Sequence, residues 1–189
     1  MRKKLLALML AFACTFTVCA STGFWQEPTA VEAATKKKTK APSINKVYQA
    51  VKNAYGDNYT PDTRIPNEEL KQRYGISSKW YSSAIAEVPM ISTNADTLII
   101  VKAKNASSKK KIKTALKKYQ EGLIQDTHQY PMNQLKIQAS RVYVKGSYVC
   151  FLMLGSISNK QEEQSEDKVI AAYKKQNEKA VKAINKLYK

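Results

Sequence analysis

Two apolar runs near the C-terminal third restrict the possible folds of this chain most. They are Arg141-Val142-Tyr143-Val144 and Ser147-Tyr148-Val149-Cys150-Phe151-Leu152-Met153-Leu154, flanking Lys145-Gly146. β-Branched and aromatic residues on either side of a short glycine-containing link predict a β-hairpin. A lone hairpin is at best marginally stable in water, so this one needs further strands or helices against it. Thr97-Leu98-Ile99-Ile100-Val101 is apolar at every position, the pattern of an inner strand covered on both faces. Trp80 to Val88 alternates weakly and predicts a fourth strand, with Pro89 to Ala95 as loop and Asp96 turning the chain into its partner.

Helical spacing accounts for the remaining apolar positions. Ile44, Val47, Val51 and Ala54 predict a helix opened by Ser43 as N-cap and closed by Gly56. Asp57 to Ile65 reads as loop. Asn67 is expected to cap a shorter helix carrying Glu68 and Glu69 in its first turn, with Leu70 and Tyr74 inward and Gly75-Ile76 as its ending. Ser107 or Ser108 is expected to cap a helix whose apolar face is Ile112, Ala115, Leu116, Tyr119 and Leu123. Pro131 starts a short helix through Leu135. From about Glu162, Val169, Tyr173, Gln176, Ala180, Ile184 and Leu187 recur at steps of four and three, predicting a long amphipathic helix. The order α-α-β-β-α-(α)-β-β-α predicts an α+β fold. A single domain over residues 43–189 is expected, with a mainly antiparallel, roughly four-stranded sheet, flanking helices and a long C-terminal helix.

The N-terminus carries a different message. Arg2, Lys3 and Lys4 precede an apolar run from Leu5 to Ala20, and a polar stretch with Pro28 leads to Val31-Glu32-Ala33. That order is the pattern of a secretory signal peptide over residues 1–33, cleaved after Ala33, or alternatively after Ala20. The apolar run of about 16 residues is short for a membrane span of roughly 20. Cys19 is preceded by Val18 and Cys14 by too short a run, which argues against lipidation. Residues 34–42 read as a basic, flexible lead-in. Cleavage would remove Cys14 and Cys19, leaving Cys150 without a disulfide partner, so the mature fold must rest on its core. The 189 residues less 33 leave 156, enough for one such core.

Charge survives processing. The chain has 32 Lys and Arg against 15 Asp and Glu; without Arg2, Lys3, Lys4, Glu27 and Glu32 it keeps 29 against 13, a formal +16. A secreted protein this basic is attracted at long range to anionic wall polymers or lipid headgroups, less so in salt. Excess lysine also serves solubility.

The inventory for chemistry is thin. His128 is the one histidine, which excludes multi-histidine metal sites, and Cys150 lies within an apolar strand, where a free cysteine packs as a small hydrophobe. A Cys150–His128 nucleophile pair is arithmetically possible. Asp57 to Asp62 lacks the ligand spacing of a calcium loop. No glycine-rich phosphate cradle or other cofactor motif is present, so no cofactor is expected. Glu87 and Asp96 flank the loop between the first two strands and are the pair a carboxylate-dependent hydrolase would use. Lys109, Lys110, Lys113 and Lys117 form a basic stripe on one helix, a candidate anion-binding surface or simply a solvated face. Tyr119, Tyr143 and Tyr173 fit core positions, and export argues against nucleic acid as partner.

Tyr74-Gly75-Ile76, then Asp96-Thr97-Leu98-Ile99-Ile100-Val101-Lys102-Ala103, a lysine-rich helix, Tyr130-Pro131 and the hairpin Tyr143-Val144-Lys145-Gly146-Ser147-Tyr148-Val149 follow one another in order. Over roughly Val47 to Leu154 this succession resembles a bacterial family called domain of unknown function 4358. The resemblance implies an exported protein of a Gram-positive, clostridia-like bacterium, and supplies no activity. The expectation is therefore a non-enzymatic envelope module contacting an anionic wall polymer, lipid headgroups or another exported protein. The alternatives are the hydrolase and a subunit docking through its C-terminal helix; for the last, truncation after Asn159 should leave a folded domain.

Overall fold

Five antiparallel strands, in the order β1-β2-β3-β5-β4, form the middle layer of the molecule. They are β1 (Thr63–Arg64), β2 (Tyr81–Val88), β3 (Thr97–Ala103), β4 (Arg141–Lys145) and β5 (Tyr148–Met153). The structure, a computed structural model, describes residues 41–91 and 93–189. The expected signal peptide and residues 34–40 of the lead-in lie outside the described residues.

Helices cover both faces of the sheet. On one, α1 (Ile44–Tyr55) and α6 (Glu166–Lys186) bury Val47, Val51, Ala180 and Ile184 against Leu98, Ile100, Cys150 and Leu152. On the other, α2 (Leu70–Tyr74), α3 (Ala106–Gln125) and α4 (Pro131–Gln138) pack Leu70, Ile112, Leu116 and Ile137 on Ile99, Val101, Val149 and Phe151. Alternate residues of β3 and β5 thus enter opposite cores, which is why both strands are apolar throughout. The α+β architecture with a long C-terminal helix is as expected, and the central pairing joins the two hairpins through β3 and β5. Both cores, as described, are built from residues between Ile44 and Tyr188.

The sheet has one strand more than the expected four. Asp57 to Ile65, expected as loop, contains β1, a two-residue edge strand paired with Glu87 and Val88. So short a strand carries no periodic signal and exists because β2 offers it an edge.

The hairpin turn lies one residue later than expected. Lys145 pairs with Tyr148, so Gly146 and Ser147 are the central residues, and Gly146 takes the φ of 56° that a tight hairpin turn needs at its first position. Ser43 caps α1, Gly56 ends it, and Gly75 ends α2 in the left-handed conformation, as expected. Asn67 is not a cap but the first residue of a 3-10 turn, Asn67–Glu69, that runs into α2. For α3 the cap is Asn105, whose side chain accepts from the Ser108 amide, instead of Ser107 or Ser108. Asparagine outcompetes the serines because it stands where the chain is still extended. Helix α4 continues past Leu135 to Gln138. The C-terminal segment is broken: α5 (Asn159–Glu162), held by a Ser158–Gln161 capping box, precedes α6.

The apolar face of α6 is already occupied. Ala180, Val181 and Ile184 belong to the core shared with α1, and Val169 and Tyr173 pack with Ala139 and Leu135 beside α4. Truncation after Asn159 therefore removes part of the core, which corrects the expectation that a folded domain would remain.

Candidate functional site

Glu87 and Asp96 are both buried, each inside its own set of partners. Glu87 accepts from the hydroxyls of Tyr48 (3.0 Å) and Tyr59 (2.6 Å) and pairs with Arg64 (2.9 Å). Asp96 is 1% exposed; Oδ2 accepts from Thr60 (2.5 Å) and the Gly155 amide (3.2 Å), while Oδ1 has the Lys136 ammonium as its partner. Each carboxylate is thus matched by one cation and two hydrogen-bond donors, as buried charges require. The two sets share no residue and meet only in the sequence neighbours Tyr59 and Thr60, which strap the loop after α1 across the end of the sheet. These lone pairs are engaged in holding that strap and the start of β3. Such an arrangement fixes the loop after α1 and the start of β3.

Cys150 and His128 do not meet. Cys150 is fully buried on the α1–α6 face of β5, and its thiol is pushed up to about 12 by desolvation. The His128 side chain is 94% exposed in the loop after α3, beside Asp126. Among the described residues no group of three or more His, Cys, Asp or Glu side chains is placed to hold a metal ion.

Burial of phenols and thiol links the core to alkaline pH. Desolvation raises Tyr148 to about 12, helped by Tyr188 and Cys150, and raises Tyr55, Tyr59 and Tyr119 further. The unfolded chain releases these protons near their ordinary values of about 8.5–10, while the native state still holds them. The resulting stability is whole below about pH 8.5 and declines as pH rises toward 12. Phenolate absorbance of these tyrosines is expected to appear together with loss of circular dichroism. Their ionisation near pH 10 in a fully folded protein would contradict it.

The lysine stripe is divided by the fold. Lys109 donates to the Gly146 carbonyl (3.0 Å), tying α3 to the hairpin turn, whereas Lys110, Lys113 and Lys117 are exposed. On the flank of α3 that faces α2 lies a cleft of about 460 Å³, lined by Lys71, Gln72, Arg73, Tyr74, Gly75, Ala115, Lys118 and Tyr119. Its lining carries three cations and no carboxylate, although Arg73 is engaged by Glu69 at 2.5 Å. The left-handed Gly75 and the small Ala115 leave this space: a Cβ on Gly75 would come within 3.7 Å of the Ala115 methyl. Tyr74 and Tyr119 stack edge to face at 4.9 Å in its floor, and Tyr119 meets Phe151 at 5.2 Å. Desolvation raises both tyrosines, so their hydroxyls remain donors. Sequence reading placed Tyr74 and Tyr119 in the core and overlooked Lys71 and Lys118. A lysine three residues after a small residue on the helix flank was the available signal.

The family described as domain of unknown function (DUF4358) matches residues 53–154. This span runs from the end of α1 through β5 and contains the whole sheet, the cleft and the lysine stripe. Neither the curated proteins nor the solved structures gave a match to this chain. Since the matched span is more than half of the chain and holds all five strands, this protein belongs to the DUF4358 family.

Proposed function

We propose that this chain is an exported, non-enzymatic binding module that takes up an anionic envelope polymer on its α2–α3 face. The observation that carries the reading is the cleft between these helices, which Lys71, Arg73 and Lys118 line together with Tyr74 and Tyr119 and without an acid. Lysines suit a repeating phosphate chain, because flexible point charges follow a backbone without demanding one geometry. Lys110, Lys113 and Lys117 extend the positive surface along the exposed side of α3. The formal charge of +16 that remains without residues 1–33 draws such a polymer in from a distance. Glu87 and Asp96, bound within their own shells, give the hydrolase alternative no comparable support.

The test is binding of a purified glycerol-phosphate polymer, with a neutral polysaccharide as control, by the chain beginning at Ala34. Binding to the polyanion alone, declining with salt, is expected. The double variant Lys71→Glu/Lys118→Glu should lower affinity about tenfold, on the order of 1.4 kcal/mol, at low ionic strength. Unchanged affinity in that variant would sink the assignment to this cleft.

A further inference from the structure

The end of the molecule at the β4–β5 turn is built from five stretches of chain, and none contributes an acid. Lys145 and Lys102 both pair with Tyr148, and Tyr81 pairs with Ala103, so β4 and β3 finish here and β5 and β2 begin here. Helix α1 starts beside them, where the buried Tyr148 hydroxyl donates to the Pro42 carbonyl (2.6 Å). Helix α6 finishes beside them, and Tyr188 just beyond it donates to the Lys145 carbonyl (3.3 Å). Helix α3 starts here too. The Lys104 amide donates to the Trp80 carbonyl (3.0 Å), and the Lys109 ammonium to the Gly146 carbonyl (3.0 Å). These stretches, residues 41–48, 77–84, 101–111, 143–149 and 182–189, hold eleven lysines and no Asp or Glu. The carboxylates lie elsewhere. Asp62, Glu87 and Asp96 belong to the opposite end of the sheet and Glu166 and Asp167 to the far end of α6, while Glu68 flanks Tyr81 at the β2 edge.

We propose that this lysine end docks on the headgroup plane of an anionic phospholipid bilayer, a contact separate from the polymer cleft between α2 and α3. The first argument is the spread of the cations. Lys46 and Lys186 stand exposed on the α1–α6 layer, Lys102 and Lys145 at the sheet, and Lys104 and Lys111 exposed on the α3 layer. The Tyr148 and Tyr188 rings lie under the Lys102 and Lys145 ammonium groups (5.8 and 5.5 Å), which keeps those two charges at this end. Layers about 10 Å apart spread the array over roughly 20 Å in one direction, and strands about 4.8 Å apart spread it in the other. A single chain of phosphates passes along one line of such an array. A plane of headgroups meets all of it.

The covalent chain supplies the second argument. It enters the domain at Pro42, within this end. The preceding residues include Lys36, Lys37, Lys38 and Lys40. Six residues of chain reach at most about 21 Å, so these cations join the same face. Upstream lies the apolar run from Leu5 to Ala20, read as the leader. Until that leader is cut it holds the precursor to the membrane through the lysine end. Each lysine close to an anionic lipid surface adds roughly fivefold to binding, so several together hold the domain there after cleavage, and salt screens the contact.

Flotation of the chain beginning at Ala34 with phosphatidylglycerol–phosphatidylcholine vesicles, and with phosphatidylcholine alone, tests the proposal. The first vesicles should capture it at low salt and release it at high salt, and the second should leave it free. Lys46→Glu/Lys104→Glu/Lys186→Glu reverses exposed lysines on both helical layers and should weaken capture more than about tenfold. Lys160→Glu/Lys168→Glu/Lys175→Glu makes the same change in net charge in α5 and the first half of α6, away from this end, and should keep most of the parent's capture. Equal loss in the two triple variants would overturn the proposal, since net charge alone would then account for binding. Lys71→Glu/Lys118→Glu, which tests the polymer cleft, should float as the parent does, so the two readings fail separately. Trp80 is the one tryptophan of this chain and lies at the lysine end under the Lys111 ammonium (5.9 Å). Vesicles carrying headgroup nitroxides should therefore quench its emission. Failure of the parent to float, capture unmoved by salt, or capture without quenching would each overturn the proposal. So would a Lys46→Glu/Lys104→Glu/Lys186→Glu variant that keeps vesicles and loses the glycerol-phosphate polymer, which would make this end a second polymer surface.

Discussion

A chain ending at Asn159 is expected to show no cooperative unfolding transition and no native near-ultraviolet circular dichroism. The deletion removes α6, and with it Val169, Tyr173, Ala180, Val181 and Ile184, which are buried against α1, α4 and the sheet. It also removes Asn177, a buried amide that accepts from the Leu154 amide (3.0 Å) and donates to the Ala139 carbonyl (2.9 Å). Each large apolar side chain of this kind contributes roughly 1.5–3 kcal/mol by burial. Together these are comparable with the whole net stability of a domain, about 5–15 kcal/mol. Leu98, Ile100, Cys150 and Leu152 would meanwhile face water. The single change Ile184→Ala should cost about 2–5 kcal/mol in urea unfolding while the fold persists. A truncated chain with a native spectrum would show that α6 is an appendage after all.

Asp96→Ala is expected to destabilise the protein by about 3–5 kcal/mol, because it leaves the buried Lys136 ammonium without its counter-charge. The Thr60 hydroxyl and the Gly155 amide lose their acceptor at the same time, releasing the strap after α1 and the exit of β5. Lys136→Met should cost less, since Asp96 keeps both of those donors. The double variant Asp96→Ala/Lys136→Met should be more stable than Asp96→Ala, as expected when the cost arises from an unpaired charge and not from lost packing. Denaturant unfolding of the four proteins measures the coupling directly. A cost below about 1 kcal/mol for Asp96→Ala would mean that the ammonium finds solvent easily and that the pair does not hold this end of the sheet.

Much of the fold was legible because its signals are local. The uniformly apolar Thr97 to Val101 announced a strand with two covered faces, and the four-three spacing from Val169 to Leu187 announced a helix with one buried face. Errors fell where neighbours in space overrule neighbours in sequence. Thr63–Arg64 becomes a strand because β2 presents an unpaired edge, and no two-residue pattern can advertise that. The turn shift to Gly146-Ser147 follows from Lys145 pairing with Tyr148, a register set across the whole hairpin.

The candidate sites divide in the same way. Lysines at 109, 110, 113 and 117 look equivalent on a helix, yet Lys109 is bound to the hairpin turn 37 residues away. Glu87 and Asp96 look like a catalytic pair flanking one loop, but partners 39 and 36 residues distant, Tyr48 and Thr60, enclose them separately. Lys71 and Lys118 were unremarkable until α2 and α3 placed them on one cleft.

By itself the sequence determined four of the strands and the principal helices, that the strand from Thr97 to Val101 is covered on both faces, and that the chain carries a large positive charge. Periodicity and net charge are properties of the covalent chain, readable without contacts. Only the tertiary structure decided which cations stay free, which carboxylates are neutralised, and that Lys71 and Lys118 line one cleft. Those outcomes depend on side chains far apart in sequence arriving at the same place, where desolvation forces every buried charge to find a partner and leaves the unpartnered apolar groups at the surface.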